Sequence, residues 1–157
     1  MSVAVHVAAE GVRVPLALAR VAALAEAVLR AERVRDAELS FTFVTRRAIA
    51  ALNRRHLGHR GATDIITFEL APPPGGPLGG DVYVSPEVAR EHARRFGRPV
   101  REEVARLVVH GTLHAIGYVH PEDAGREASP MWARQERYLA RFFTPARARP
   151  DARATAA

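Results

Sequence analysis

The sequence contains no cysteine. That excludes disulfides and thiolate metal sites, so any bound metal has to be held by nitrogen and oxygen. It contains no lysine either: all 23 basic side chains are arginine, set against 17 acidic ones, for a formal charge of +6. No apolar run approaches the length that spans a bilayer. The N-terminus shows no basic segment followed by a long apolar run, so no signal peptide is read there. There is no internal repeat. No glycine loop is placed to cradle phosphate, since Gly75-Gly76 and Gly79-Gly80 fall in a proline-rich turn. These absences lead to the expectation of a cytoplasmic chain with no membrane partner and no small-molecule cofactor.

What is present is enough for one packed domain: 157 residues, of which 48% are hydrophobic. Arginine offers phosphate a planar fork of donors and stays charged at any relevant pH. The charge balance therefore favours an anionic partner, nucleic acid above all. An arginine-only, alanine-rich composition also has a second source, codon bias, so charge alone does not decide the matter.

Four strands are expected from alternation and β-branching: Val3–Val7, Glu38–Val44 with Leu39, Phe41 and Phe43 on one face, Thr63–Leu70, and Asp81–Ser85. Helices are expected from Leu16 to Arg33 with Pro15 in its first turn, from Arg46 to Arg55 capped by Thr45, from Pro86 to Phe96 closed by Gly97, from Pro99 onward, and from Pro130 to Phe143. The first two strands, joined by a helix, should run parallel. The proline-rich loop should make the next pair antiparallel, giving a mixed sheet. The fold class is thus α+β (α/β-like), a single domain with a four-stranded mixed sheet and about five helices. The domain is read over residues 1–143, and the Arg/Ala/Pro stretch 144–157 as a disordered tail.

One stretch concentrates the chemistry. His110-Gly111-Thr112-Leu113-His114-Ala115-Ile116-Gly117-Tyr118-Val119-His120 holds three of the seven histidines. On a helix His110 and His114 share a face, one turn apart. Gly117 can take the left-handed conformation that ends a helix, and the chain can then return His120 to the first two. Three imidazoles with a fourth position open are the ligand set of a catalytic zinc rather than of a closed structural one. The spacing is that of the long zinc-protease motif H-E-x-x-H-x-x-G-x-x-H, except that the glutamate serving proteases as general base is here Gly111. At about 100° per residue, Val100, Val104, Leu107, Val108 and Gly111 form an apolar stripe that His110 and His114 flank. That places the ligand helix beside the sheet, with the histidines between core and cleft.

These residues, with Leu52-Asn53, Thr63-Asp64-Ile65-Ile66-Thr67-Phe68, Gly80-Asp81-Val82 and Met131 to Glu136, resemble the YbeY family of bacterial metal-dependent endoribonucleases in ribosomal RNA maturation. The resemblance runs from about Phe41 to Tyr138. It implies His110, His114 and His120 as ligands of one zinc per chain. It also implies single-stranded ribosomal RNA as substrate, the ribosomal small subunit as partner, and a role in RNA 3′-end maturation and ribosome quality control. Two positions depart from the family pattern. Where it carries an arginine held to keep RNA near the metal, this chain has Leu57, and the proline before Thr63-Asp64 is Ala62. Arg54, Arg55 and Arg60 are the candidates to stand in for the arginine as RNA contacts.

No side chain is assigned as the catalytic base. A metal-bound water, or the RNA 2′-hydroxyl, is the nucleophile; zinc lowers the pKa of its water to roughly 7. Arg60, Asp64 and Asp81 are the weak catalytic candidates, the two aspartates as partners orienting a ligand imidazole. The simpler reading is that Asp64 caps a turn and Asp81 fixes a strand entry. His56, His59 and His92 are expected at the surface, with His59 within reach of RNA. Met131, Trp132, Tyr138 and Phe142 are expected to pack the last helix rather than to stack bases. Two alternative functions share these features. One is a metallopeptidase taking its base from Glu103, Glu122 or Asp123. The other is a non-catalytic, metal-stabilised, ribosome-associated RNA-binding protein.

Overall fold

The computed structural model describes residues 1–143 apart from 71, 73 and 124; the expected tail from Thr144 lies outside the described residues. Strands β1 (Val3–Ala9), β2 (Ala37–Phe43), β3 (Ile65–Leu70) and β4 (Leu78–Val84) form one sheet in the order β1-β2-β4-β3. β1 runs parallel to β2 and β2 to β4, while β3 is antiparallel to β4. The mixed sheet and both expected pairings are present.

Strand alternation divides the sheet into two faces. Leu39, Phe41 and Phe43 of β2 and Val82 and Val84 of β4 are fully buried in the main core. Ser40 and Asp81 face the other side and hydrogen-bond to each other at 2.7 Å. Near β3 that second face carries a small cluster of Val44, Ile49 and Ile66, closed by Phe68 and Tyr83.

The helices are α1 (Leu18–Ala31), α2 (Arg46–Leu52), α3 (Pro86–Phe96), α4 (Val100–Ala115) and α5 (Pro130–Phe142). Three start as their sequences dictate. Thr45 Oγ1 accepts from the Ala48 N–H, Ser85 Oγ from Val88 and Ser129 Oγ from Trp132, satisfying N–H groups that a helix start leaves unpaired. Gly97, at φ 63°, closes α3. Two expectations need correction. Pro15 stands outside α1, whose cap is Ala17. And α2 does not run on to Arg55: after Leu52 the backbone widens into a π-helical turn, Asn53–Leu57, ended by Gly58 at φ 68°.

Helix α4 is the centre of the molecule. It packs against α1, α3 and α5 and against β2, β3 and β4. The single apolar stripe read from the sequence understates this, because Glu103 through Leu113 are all buried. Glycine makes the close approach to the sheet possible at two points. A Cβ at Gly111 would lie 2.8 Å from Val82 Cγ1 and 3.1 Å from Ile65 Cδ1, and one at Gly80 would lie 3.0 Å from Ala115 Cβ. On its polar flank the helix is tied by Arg106, whose side chain is only 7% exposed and which pairs with Glu102, Glu103 and Glu136. Removing Arg106 would be costly, because the nearly buried Glu103 carboxylate would lose its closest countercharge.

Candidate metal centre

The last two turns of α4 carry His110 and His114, and the chain then reverses at Gly117, at φ 109°. The Gly117 and Tyr118 N–H groups bond the carbonyls of His114 and Leu113, both at 3.0 Å. The reversal returns His120 to the helix. The three rings sit with centroids 4.6, 5.0 and 4.7 Å apart, and one ring nitrogen of each lies within 4.8 Å of the other two.

Hydrogen bonds fix which nitrogen is free. His114 Nδ1 lies 2.8 Å from the Tyr118 carbonyl and His120 Nδ1 2.8 Å from the Pro121 carbonyl. A carbonyl only accepts, so each Nδ1 carries the proton and each Nε2 keeps its lone pair. His110 Nδ1 lies 2.7 Å from Gln135 Oε1. The orientation of that amide is set in turn, because Gln135 Nε2 donates to Glu136 Oε2 at 3.2 Å, and Glu136 is clasped by Arg106. A relay from Arg106 through Glu136 and Gln135 thus presents Nε2 of His110.

The electrostatics disfavour a charge on the two helix histidines. Burial pushes the His110 pKa down to about 3, and the charges of His114, Arg126 and His120 add to it against the Gln135 hydrogen bond. His114 is lowered for the same reason, burial first. Neutral imidazoles are what a metal requires. Three nitrogen donors without sulfur suit zinc or a similar ion, and His110, His114 and His120 would hold it. Around them opens a cleft of about 460 Å³, lined by Leu57, His59, Asp64, Glu122 and Arg126 among others.

The structure relocates several expected residues. Asp81 lies on the opposite face of the sheet, bonded to Ser40, because alternation along β4 points it away from α4. Asp64 lines the cleft but pairs with His92 at 3.3 Å and with none of the three histidines. Burial would push its carboxyl up; the hydrogen bond and charge of His92, with Arg126 and His110, outweigh this and hold it below the usual range. His92 is therefore no plain surface residue, and its bond to Asp64 holds its imidazole above the usual value against burial. Arg54, Arg55 and Arg60 come together with Arg47 along a separate groove of about 900 Å³. The loop after the π-helical turn divides the two, with His59 on the cleft and Arg60 on the groove. Met131 is buried, at 1% exposure, and Tyr138 stacks on Phe142 at 5.7 Å.

Two residues at the site escaped the sequence reading. Gln135 had a signal: it sits four residues after Met131, on the buried face of α5, where a polar side chain needs a partner. Arg126 had none, since its loop is placed only by the fold.

A family model described as Endoribonuclease YbeY matches residues 9–143. The chain belongs to the YbeY family. Among curated relatives, it is 43% identical over 140 residues to "Endoribonuclease YbeY" of Anaeromyxobacter sp. (strain Fw109-5), covering 87% of this chain and 70% of that protein. It is 41% identical over 135 residues to the protein of the same name in Beutenbergia cavernae, covering 80% and 88%. Its fold is similar to the solution structure of TM1509 from Thermotoga maritima, with a TM-score of 0.63, 26% identity and 88% of each chain covered. Leu57, at the position where the resemblance implies an arginine, is 49% exposed and lines the same cleft as the histidines, to which it brings no charge.

Proposed function

We propose that this chain is a single-strand-directed endoribonuclease that uses one zinc ion held by His110, His114 and His120. Its place would be ribosomal RNA 3′-end maturation and ribosome quality control on the small subunit in the cytoplasm. The observation that carries the reading is the convergence of three imidazoles, each with its Nδ1 engaged and its Nε2 left free, beside an open cleft in a chain of the YbeY family. When bound, the ion supplies Lewis acidity, polarising a phosphoryl oxygen and lowering the pKa of water. The protein's own part is to hold three nitrogens in one tautomer and to steer an anionic strand. Arg47, Arg54, Arg55 and Arg60 offer a cationic track for the RNA backbone within one loop of the cleft. The attacking group is water or the RNA 2′-hydroxyl. Product ends distinguish them, since attack by the 2′-hydroxyl leaves a 2′,3′-cyclic phosphate.

Gly111 weighs against a peptidase. A side chain there would leave α4 toward Val82 and Ile65, into the sheet. Of the other candidate bases, Glu103 is tied to Arg106 and Asp123 accepts from the Gly125 N–H, while Glu122 lines the cleft. Digestion of RNA and of casein, each with and without chelator, tests the reading. The expected result is about one zinc or similar ion per chain, chelator-sensitive cutting of single-stranded RNA, intact casein, and loss of both metal and cutting in His114→Ala. Unchanged metal content in the three single histidine variants would sink the metal assignment. RNA binding without cutting would leave a non-catalytic adaptor.

A further inference from the structure

A second cavity, of about 290 Å³, meets the cleft at Asp64, His110 and Arg126, which line both. Its outer wall comes from the end of α3 and the start of α5. Phe96 there is 58% exposed, and the Arg98 guanidinium lies 5.4 Å over its ring. Trp132, expected to pack within the last helix, lines this cavity instead. Aromatic rings and a planar cation are the surfaces on which RNA bases stack once they leave a helix. Pockets for small ligands begin near about 300 Å³, so the volume suits one base and not a paired duplex. Of the acids in its wall, Glu103 is engaged by Arg106 and Asp64 by His92, while Glu127 is exposed to solvent at the rim.

Arg126 stands where the two cavities join. Its Nε is buried and has no hydrogen-bond partner, and no hydrogen bond or ion pair holds its guanidinium among the described residues. Its backbone, by contrast, is fixed. Its N–H donates to the Asp123 carbonyl at 3.0 Å, and its own carbonyl accepts from Ser129 Oγ at 2.6 Å. Buried donors without acceptors are rare in folded proteins. A rigidly mounted arginine fork facing a cleft, with its donors unspent, matches an anion with several acceptor oxygens.

We infer that the cavity between Phe96, Trp132 and Arg126 receives the unstacked base of the nucleotide flanking the scissile linkage, with Arg126 on the phosphate that joins the two. This rests on the endoribonuclease reading above, and it gives that reading a physical source of single-strand preference. A base must leave its stack to enter.

The test is anisotropy of a labelled single-stranded oligoribonucleotide on the full chain, with an abasic position walked along it and a fully paired duplex for comparison. Phe96→Ala should weaken single-strand binding about fivefold or more, and Arg126→Gln about tenfold or more, with duplex binding unchanged by Phe96→Ala. Arg30→Gln, at an exposed arginine of α1 that lines neither cavity, serves as the control. The wild type should lose affinity at one abasic position, and Phe96→Ala should not distinguish that position from the rest. Arg126→Met, melted alongside, should unfold at or above the wild-type temperature, because it puts a methyl group where the unpaired Nε stood. Wild-type affinity in both variants, or an abasic penalty that persists in Phe96→Ala, overturns the subsite. Cleavage of the same oligonucleotide is read separately. Binding losses as expected with no cleavage by the wild type would overturn the reaction and leave the subsite standing.

Discussion

Gln135 determines which nitrogen of His110 faces the other two rings, and it does so without touching the cleft's contents. Its amide cannot turn round, because the carboxylate of Glu136 accepts only from the NH₂ side. Gln135→Ala leaves the His110 Nδ1–H without an acceptor, where His110 is 4% and Gln135 1% exposed; the expected outcome is metal affinity reduced about 10–100-fold. Chelator competition on the folded variant measures it. Gly111 makes the opposite kind of demand, for no side chain at all. With Val82 Cγ1 already 2.8 Å from where its Cβ would stand, Gly111→Glu forces a charge into a packed face. We expect a loss of about 3 kcal/mol or more in stability and no gain of peptidase activity. Thermal melting beside a peptide-cleavage assay checks both. A stable variant that cuts peptides would mark the cleft as a protease cleft lacking only its base.

At the scale of elements, the loop that returns His120 depends on the end of α1. Glu32 accepts hydrogen bonds from the hydroxyls of Tyr118 and Tyr138 and, at 2.8 Å, from Arg134. One carboxylate thereby fastens the ligand loop and α5 to α1, with a side chain only 8% exposed. Arg134 is 38% exposed, so solvent screens its share and the tyrosine hydroxyls carry more of the effect. Burial pushes the Glu32 carboxyl up, but its three partners together hold it below the ordinary 4.5. A carboxyl lowered on folding adds stability above its unfolded pKa and loses it as pH falls through the folded one. Glu32→Gln should therefore be less stable than the wild type by about 1–3 kcal/mol near neutral pH, and the gap should close as the solution is acidified below 4.5. Denaturant titrations of both proteins across that range decide it. A gap that stays constant with pH would mean the charge is irrelevant to the fastening.

For the whole molecule the charge of +6 becomes specific through placement. Arg47, Arg54, Arg55 and Arg60 share one groove, and no ion pair engages them among the described residues. If each meets one phosphate, the logarithm of the RNA affinity should fall with the logarithm of salt at a slope of about −3, from roughly 0.7 per contact on a single strand. Arg54→Gln and Arg60→Gln should each flatten it by about 0.7. Binding that does not change between low and high salt would remove these arginines from the interface. No helix among the described residues is long and apolar enough to cross a membrane.

The sequence alone determined the features that depend on neighbours along the chain. Caps at Thr45, Ser85 and Ser129, the stop at Gly97, the alternation of Leu39, Phe41 and Phe43, and the one-turn spacing of His110 and His114 with the reversal at Gly117 are all set by local backbone geometry and its periods. Tertiary structure decided what depends on which elements meet. Asp81 could be read as a strand residue, but only the packing of α4 on the other face removes it from the histidines. Arg60 and His59 adjoin in sequence, yet the loop turns one to the groove and the other to the cleft. Gln135 reaches His110 across 25 residues, and Glu32 reaches Tyr118 across 86. Such contacts have no period and leave no trace in spacing. They arise when the burial of apolar faces brings separate elements together, and the polar groups caught between them must then find partners within reach.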